Sequence, residues 1–323
     1  MNFKLISLMA AGALALTACG AASGPVTSPP NTLTAVKVDA VSTDAAAAMW
    51  ANAPKTSVTS KVPDKKAEVG ATVTLQAVYD GKNIAIRAEW DDKTDSWQRN
   101  IWTYDGTAWK RAGEQDRLAL AFPIGNNAEF ASKGCGVICH NQDADEAKWW
   151  MGTDSADVRV DFWQWQGAST NPAGYADDSY FSAKATITST TGRANDANTG
   201  GGPKTNAAAD GKGPAFMNKS GVDAHYILAG EEVALDMAKV KAGSQIPSSI
   251  LSKYAGSRGD ITAKGTWANG KWVVVMVRAL DTGNKDDAAF QPPKAVPFGL
   301  GVFDNSGDLE HAVSQDVLTL AWK

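Results

Sequence analysis

This chain of 323 residues has little cysteine, little histidine and no cluster of basic charge. Three cysteines are too few for a disulfide framework, and they separate into one near the start and a close pair. Lys and Arg number 31 against 35 Asp and Glu, which argues against a nucleic-acid partner. Nucleotide binding has no support either, because the sequence contains no G-x-G-x-x-G motif and no Walker loop.

The apolar run near the start, residues 6–16, is too short to cross a membrane. It is followed by Leu16-Thr17-Ala18-Cys19, which resembles the bacterial lipobox, in which the cysteine is lipidated and becomes the mature N-terminus. We therefore predict a signal peptide over residues 1–18 and lipidation of Cys19. Cleavage of an ordinary signal peptide near Ala18 is the alternative.

The residues after Cys19 predict where the protein is located and how its folded domain is joined to the lipid. Gly20, rather than Asp, resembles lipoproteins sorted to the outer membrane, so we expect a lipid-anchored envelope protein that faces the periplasm or the exterior. Its membrane contact would be the lipid alone. Residues 19–35 are rich in Gly, Ser, Pro and Thr, and predict a flexible tether.

Alternating β and α segments are absent, and short strand patterns dominate instead. Residues 72–79 and 83–90 alternate apolar and polar side chains around Asp80-Gly81, which predicts a hairpin. About nine or ten such strands with closely spaced turns predict an all-β fold, an antiparallel β-sandwich with short helices, over residues 36–323.

Two segments interrupt this pattern. Residues 191–213 have almost no large apolar side chain and predict a long flexible insertion. Residues 231–241 place Val233, Met237 and Val240 at helical spacing and predict a helix.

One stretch contains residue types that hold haem iron: Cys135-x-x-x-Cys139-His140, followed by Met151. The c-type attachment motif, Cys-x-x-Cys-His, has one residue fewer between its cysteines. Two thioether bonds to haem, with His140 beneath the iron, are favoured. A Cys135–Cys139 disulfide and a zinc site completed by nearby aspartates, Asp143 or Asp145, remain alternatives.

The twelve tryptophans are many for a chain of this length and usually indicate core packing. Trp163 and Trp165 alternate with their neighbours, so they point to the same face of a strand. We interpret them as core residues or as the wall of a haem pocket.

Three blocks resemble the haem-subunit family of ethylbenzene dehydrogenase, the cytochrome c-552/DMSO reductase-like haem-binding domain. They are Asp161-x-Trp163-x-Trp165, then Trp267-x-x-Gly270-x-Trp272 with Arg278-x-Leu280, and Pro297-Phe298 to Asp304 followed by His311. The resemblance implies a β-sandwich whose loops hold one haem at one end. It also implies a b-type haem with Met and Lys as axial ligands, and electron exchange with a molybdenum enzyme.

The resemblance also suggests which residues hold the iron. Met151 stands where the methionine ligand is expected, and the lysine position falls close to His311. A departure is Gln166, which stands where the family has Lys and is not taken as a ligand. The axial candidates are therefore His140, Met151 and His311, and c-type haem is favoured over b-type.

These features predict a haem-binding electron-transfer lipoprotein that exchanges electrons with redox partner proteins and catalyses no reaction of its own. A haem subunit of a molybdenum oxidoreductase complex is one alternative. A carbohydrate-binding β-sandwich is another, and it would require tryptophans exposed on an open face.

Overall fold

Nearly all the regular structure is β-strand in the computed structural model, which describes residues 29–62, 69–134, 148–186, 191–307 and 311–323. The strands in chain order are β1 (Thr32–Lys37), β2 (Thr56–Lys61), β3 (Val69–Tyr79), β4 (Asn83–Asp91), β5 (Ile101–Tyr104), β6 (Trp109–Ala112), β7 (Gln115–Ile124), β8 (Trp150–Met151), β9 (Arg159–Gln166), β10 (Asp177–Phe181), β11 (Ala185–Thr186), β12 (Arg193–Asn195), β13 (Gly200–Gly201), β14 (Lys204–Thr205), β15 (Phe216–Asn218), β16 (Glu232–Ala234), β17 (Gln245–Ile246), β18 (Ser249–Ile250), β19 (Tyr254–Ala255), β20 (Thr262–Trp267), β21 (Lys271–Ala279), β22 (Val296–Ser306), β23 (Ala312–Ser314) and β24 (Leu318–Trp322).

The helices are short. One α-helix, α1, spans Ala128–Lys133, and 3₁₀ turns span Ala48–Trp50, Asn171–Ala173, Met237–Lys239 and Ser257–Gly259. Among the described residues, no helix has both the length and the apolar character needed to cross a membrane.

The hairpins follow from turn chemistry. Between β3 and β4, Asp80 Oδ1 accepts hydrogen bonds from the backbone N–H groups of Lys82 and Asn83 at 2.9 and 2.7 Å, and Gly81 adopts a φ of 88°. Between β20 and β21, Asn269 and Gly270 have φ values of 55° and 74°, as a tight hairpin turn requires. The hairpin predicted around Asp80-Gly81 is therefore confirmed.

Two layers make up the fold. The first has the strand order β12-β10-β9-β7-β22, and the second has the order β2-β3-β4-β21-β20. They join along one side, where β23 pairs with β22 and β2, while β24 pairs with β22 and β1. Within this large sheet, β1 pairs in parallel with β24 and β3, and the other strand pairs are antiparallel.

The main core lies between the two layers. Leu118, Leu120 and Phe122 of β7 face inward, as their alternation predicts, and meet Ile86 and Met276 of the opposite layer. Since both inner faces contribute to one buried cluster, the fold is an antiparallel β-sandwich. The predicted fold class is confirmed.

The predicted tether is too long. Strand β1 begins at Thr32, so the prediction of a flexible segment is wrong for residues 32–35. Leu33 and Ala35 are fully buried, and β1 pairs with both β24 and β3. A strand with two neighbours and a buried face needs few large apolar residues to be ordered.

The prediction that residues 191–213 form a flexible insertion is also wrong for the residues that form β12, β13 and β14. Asn206, which is fully buried, shows why the segment is ordered. Its side chain donates to the carbonyls of Phe216 and Pro247 at 2.9 and 2.8 Å, and accepts from the N–H groups of Ala215 and Phe216. Hydrogen bonds, rather than apolar burial, organise this segment.

The helix predicted over residues 231–241 is wrong as well, because these residues form β16 and a single 3₁₀ turn. Val233 and Met237 are exposed, by 39% and 48%. An apolar stripe stabilises a short helix only when a surface covers it, and the described residues supply none here.

Candidate functional site

A second apolar cluster lies on the outer face of the first layer. Since side chains alternate along a strand, Ala119 and Ala121 of β7 point away from the sandwich core. They contact residues of neighbouring strands and of α1, and the set is buried as one unit. This outer cluster consists of Ala119, Ala121, Phe130, Val160, Phe162, Phe181 and Phe303.

The α-helix contributes to the outer cluster from above the sheet. Asn127 caps α1 by accepting a hydrogen bond from the N–H of Phe130 at 2.9 Å, and Phe130 is fully buried. The helix ends at Gly134, where a Cβ atom would lie 3.3 Å from Val317 Cγ2. The end of α1 therefore lies against the segment that follows His311.

Met151 lies at the edge of the outer cluster. It belongs to β8, which pairs with β11, and its carbonyl accepts a hydrogen bond from the N–H of Gly192 at 2.7 Å. The side chain is half-buried and packs against the cluster. Pairing with β11 and the hydrogen bond from Gly192 thus hold the Met151 backbone in place.

His311 reaches the same cluster from the other end of the chain. Its imidazole stacks on the ring of Phe303, with centroids 4.6 Å apart and planes inclined by 16°. Small residues lie beside it: Gly301 faces Ala119 across the ladder, and a Cβ at Gly301 would lie 3.9 Å from His311 Cδ2. The structure therefore brings Met151 and His311, 160 positions apart in sequence, onto one apolar surface.

Trp163 and Trp165 do not lie at this surface. Both are fully buried on the inner face of β9, opposite Phe162, where they pack in the main core. Trp165 donates a hydrogen bond from Nε1 to Asn171 Oδ1 at 3.0 Å. Both tryptophans are therefore core residues, which is one of the two interpretations from the sequence, and they do not belong to the outer cluster.

Several predicted site residues lie outside the described residues. They are Cys19, Cys135, Cys139 and His140, together with the candidate zinc ligands Asp143 and Asp145. The attachment, disulfide and zinc interpretations of the cysteine pair therefore stay predictions.

The outer cluster fits haem iron by its chemistry. A thioether and an imidazole are both established haem ligands, and the surface between them is apolar and aromatic. Two guanidinium groups border it: Arg117 Cζ lies 5.8 Å from the Phe303 ring, and Arg193 Cζ lies 5.0 Å from the Phe162 ring. Both guanidinium groups already pair with carboxylates of the protein, Arg117 with Glu114 at 3.0 Å and Arg193 with Asp177 at 3.7 Å.

A separate cavity of about 350 Å³ lies elsewhere, lined by residues of several loops. Trp97 and His225 stack in its wall, with ring centroids 3.6 Å apart. Tyr254 and Arg258 also line it, with the guanidinium carbon 4.0 Å from the ring centre. The sequence analysis did not identify this cavity, because its lining residues come from distant segments.

Residues 46–314 match the model of the family described as ethylbenzene dehydrogenase. The chain belongs to this family. The matched region contains the outer cluster, Met151 and His311. The resemblance noted from sequence motifs is therefore confirmed.

Other comparisons add little. No curated protein matches the chain significantly. One similar solved structure is a putative carbohydrate-binding protein from Bacteroides uniformis, at 9% identity and a TM-score of 0.39, covering 90% of this chain and 99% of the other. Another is a family 9 carbohydrate-binding module from Caldicellulosiruptor kristjanssonii in complex with glucose, at 9% identity and a TM-score of 0.36, covering 90% and 95%. At these scores the similarities carry no functional argument.

This member of the ethylbenzene dehydrogenase family also buries a charged cluster that its sequence does not reveal. Arg278 Nη1 lies 2.8 Å from Asp161 Oδ2 and 3.3 Å from Asp178 Oδ2, and all three side chains are fully buried. Burial raises the pKa values of Asp161 and Asp178, and the Arg278 guanidinium opposes this. The three residues lie far apart in sequence, so no local pattern predicts them.

Proposed function

We propose that this protein is a haem-binding electron-transfer protein of the cell envelope, with its haem at the outer cluster and Met151 as one axial ligand. The observation that carries the proposal is the convergence of Met151 and His311 on one apolar surface. His311 is the second axial ligand if the haem is not covalently attached. His140 is the alternative imidazole if Cys135 and Cys139 form thioether bonds.

When bound, haem iron supplies one-electron transfer by changing between its ferric and ferrous states. The residues of this chain tune that chemistry. Methionine ligation raises the reduction potential relative to two histidines, and the phenylalanines of the outer cluster exclude water from the surface.

Membership of the ethylbenzene dehydrogenase family supports a molybdenum oxidoreductase as the redox partner. In this proposal the protein passes single electrons and has no substrate of its own. The lipobox-like sequence ending at Cys19 supports a lipid-anchored location in the envelope, facing the periplasm or the exterior.

The test is expression in a host that can mature c-type cytochromes, followed by absorption spectroscopy of the purified protein. We expect a Soret band, and we expect Met151→Ala to change the low-spin spectrum. Met237→Ala is the matched control, because Met237 is 48% exposed and distant in sequence from the outer cluster. Absence of haem, or equal spectra for the two variants, would contradict the proposal.

Two further measurements show whether haem is covalently attached and which histidine binds the iron. Haem that remains after acid–acetone extraction, and is released in the Cys135→Ser/Cys139→Ser variant, identifies thioether bonds. Haem that extracts from the wild type identifies the b type. Spectra of His311→Ala and His140→Ala then show which imidazole binds the iron, with His225→Ala as the control.

One observation favours a second candidate function, the binding of a carbohydrate: the aromatic cavity walled by Trp97, His225 and Tyr254. However, no tryptophan among the described residues is fully exposed, as an open sugar platform would require. A polysaccharide pull-down with the haem-free protein tests this second function. Retention on polysaccharide that is lost in Trp97→Ala, without any haem, would favour this second function.

A further inference from the structure

A group of three aspartates, none of which belongs to the outer cluster, lies beside β12 at one edge of the first layer. Asp196 follows β12, while Asp286 and Asp287 belong to the loop between β21 and β22. One carboxylate oxygen from each lies within 4.8 Å of those of the other two. Asp196 and Asp287 are 2% and 5% exposed, whereas Asp286 is half-buried. The group is therefore reachable from solvent on the Asp286 side only.

Two oxygen atoms in this group have unmet bonding capacity. Asp196 Oδ1 and Asp287 Oδ1 are buried and accept no hydrogen bond. The other oxygen of each residue does have a partner: Ser257 Oγ lies 3.4 Å from Asp196 Oδ2, and Asn284 Nδ2 donates to Asp287 Oδ2 at 3.1 Å. Because a buried carboxylate oxygen without a partner costs considerable free energy, these two atoms call for a ligand.

The nearby protein cation does not meet this need. Arg278 already pairs with Asp161 and Asp178, and its Nη1 is 3.8 Å from Asp287 Oδ1. Burial and the neighbouring carboxylate of Asp287 raise the pKa of Asp196 to about 9. Asp196 Oδ1 and Asp287 Oδ1 therefore lie buried in the group without a hydrogen-bond donor among the described residues.

We propose that Asp196, Asp286 and Asp287 bind one Ca²⁺ ion. All the donors are oxygen atoms, which favours a hard cation over zinc. The hydroxyl of Thr282, which donates to Asp287 Oδ2, adds a further oxygen in the same loop, whereas Asn284 directs its Nδ2 group at Asp287. Calcium is favoured over magnesium because it accepts irregular geometry and more protein ligands, as three carboxylates from two separate segments would supply.

Bound calcium would join two parts of the fold. It would connect β12, the edge strand of the first layer, to the loop that follows β21 of the second layer. It would also offset the surplus of negative charge beside the buried Arg278 cluster. The site would thus be structural and independent of haem.

The experiment uses the full chain after removal of metal with a chelator. We expect titration calorimetry to give one Ca²⁺ per chain and thermal unfolding to occur at a higher temperature with Ca²⁺. Asp286→Asn should weaken Ca²⁺ binding about tenfold or more, because it removes a charged ligand that is half-exposed and not needed for folding. Asp281→Asn, in the same loop but outside the group, is the matched control and should bind as the wild type does.

Three results would overturn the proposal. The first is the absence of both heat and stabilisation on adding Ca²⁺, which would show that a shared proton satisfies the buried oxygens. The second is equal loss of affinity in Asp281→Asn and Asp286→Asn. The third is tighter binding of Mg²⁺ than of Ca²⁺.

Discussion

Replacing Arg278 with methionine tests whether the buried carboxylates are held in their charged form. The guanidinium is fully buried and makes contacts at 2.8 Å to Asp161, at 3.3 Å to Asp178 and at 2.6 Å to the carbonyl of Ala288. It also lies 4.5 Å from the centre of the Trp163 ring. Arg278→Met would keep part of this packing but would remove the positive charge.

The expected loss in the free energy of unfolding follows from the charges that Arg278→Met leaves buried. Removing one partner from a buried ion pair typically costs about 3–5 kcal/mol, because the other charge stays buried without compensation. Here Asp161 and Asp178 would both remain, and Asp161 would keep only its hydrogen bond from the N–H of Ala288 at 2.8 Å. With a urea dependence of about 3 kcal/mol per molar, the unfolding midpoint should fall by roughly 1–2 M.

The assay is urea unfolding followed by tryptophan fluorescence. Lys110→Met is the control, since Lys110 forms an exposed ion pair with Asp105 at 2.9 Å, and we expect no measurable shift. The double variant Arg278→Met/Asp161→Asn should recover part of the loss, because it removes one of the buried charges. An Arg278→Met midpoint equal to that of Lys110→Met would refute the reasoning, and would mean that these carboxyl groups are neutral in the folded protein.

Two other predictions concern stability. Burial, with Asp116 and Asp304 nearby, raises the pKa of Asp92 to about 6. The stabilisation that Asp92 contributes to the folded protein is therefore fully present below about pH 4 and is lost as the pH rises through about 6. In Asp92→Asn, the unfolding temperature should depend less on pH between pH 4 and 7 than in the wild type. Parallel pH profiles of the unfolding temperature for the two proteins would contradict this. At Gly265, a Cβ would lie 2.3 Å from Trp165 Cζ2, so Gly265→Ala should cost about 1–3 kcal/mol in urea unfolding. Gly301→Ala is the control, since its nearest neighbours would lie at 3.7 Å, and an equal loss in both would show that the overlap at Trp165 is not the cause.

The sequence predicts the strands of the sandwich well, because alternation and turn residues are local signals. The β3–β4 hairpin and the inward set Leu118, Leu120 and Phe122 illustrate this. Residues 191–213 were misjudged because Asn206 orders them through hydrogen bonds to residues 215, 216 and 247. Composition alone cannot distinguish a polar segment with buried partners from one without them.

The candidate site was only partly predictable. Motif resemblance pointed to Met151 and His311, whereas Trp163 and Trp165, interpreted as either core residues or a cofactor wall, lie in the main core. Alternation shows that two residues share a face of a strand, but it does not show which face meets the core. The buried cluster of Arg278, Asp161 and Asp178 was missed because its members come from β21, β9 and β10, which only the folded sheets bring together.

Strands β1 and β24 are far apart in sequence but pair side by side, from Thr32 opposite Thr319 to Ala35 opposite Trp322. In a polypeptide that emerges amino end first, β3 becomes available early as a neighbour of β1, whereas β24 appears after the other described strands. One flank of β1 therefore keeps its amide and carbonyl groups unpaired until β24 has been synthesised or exported. A product that stops short of Leu318 would carry this open edge permanently, and open strand edges recruit other chains into aggregates.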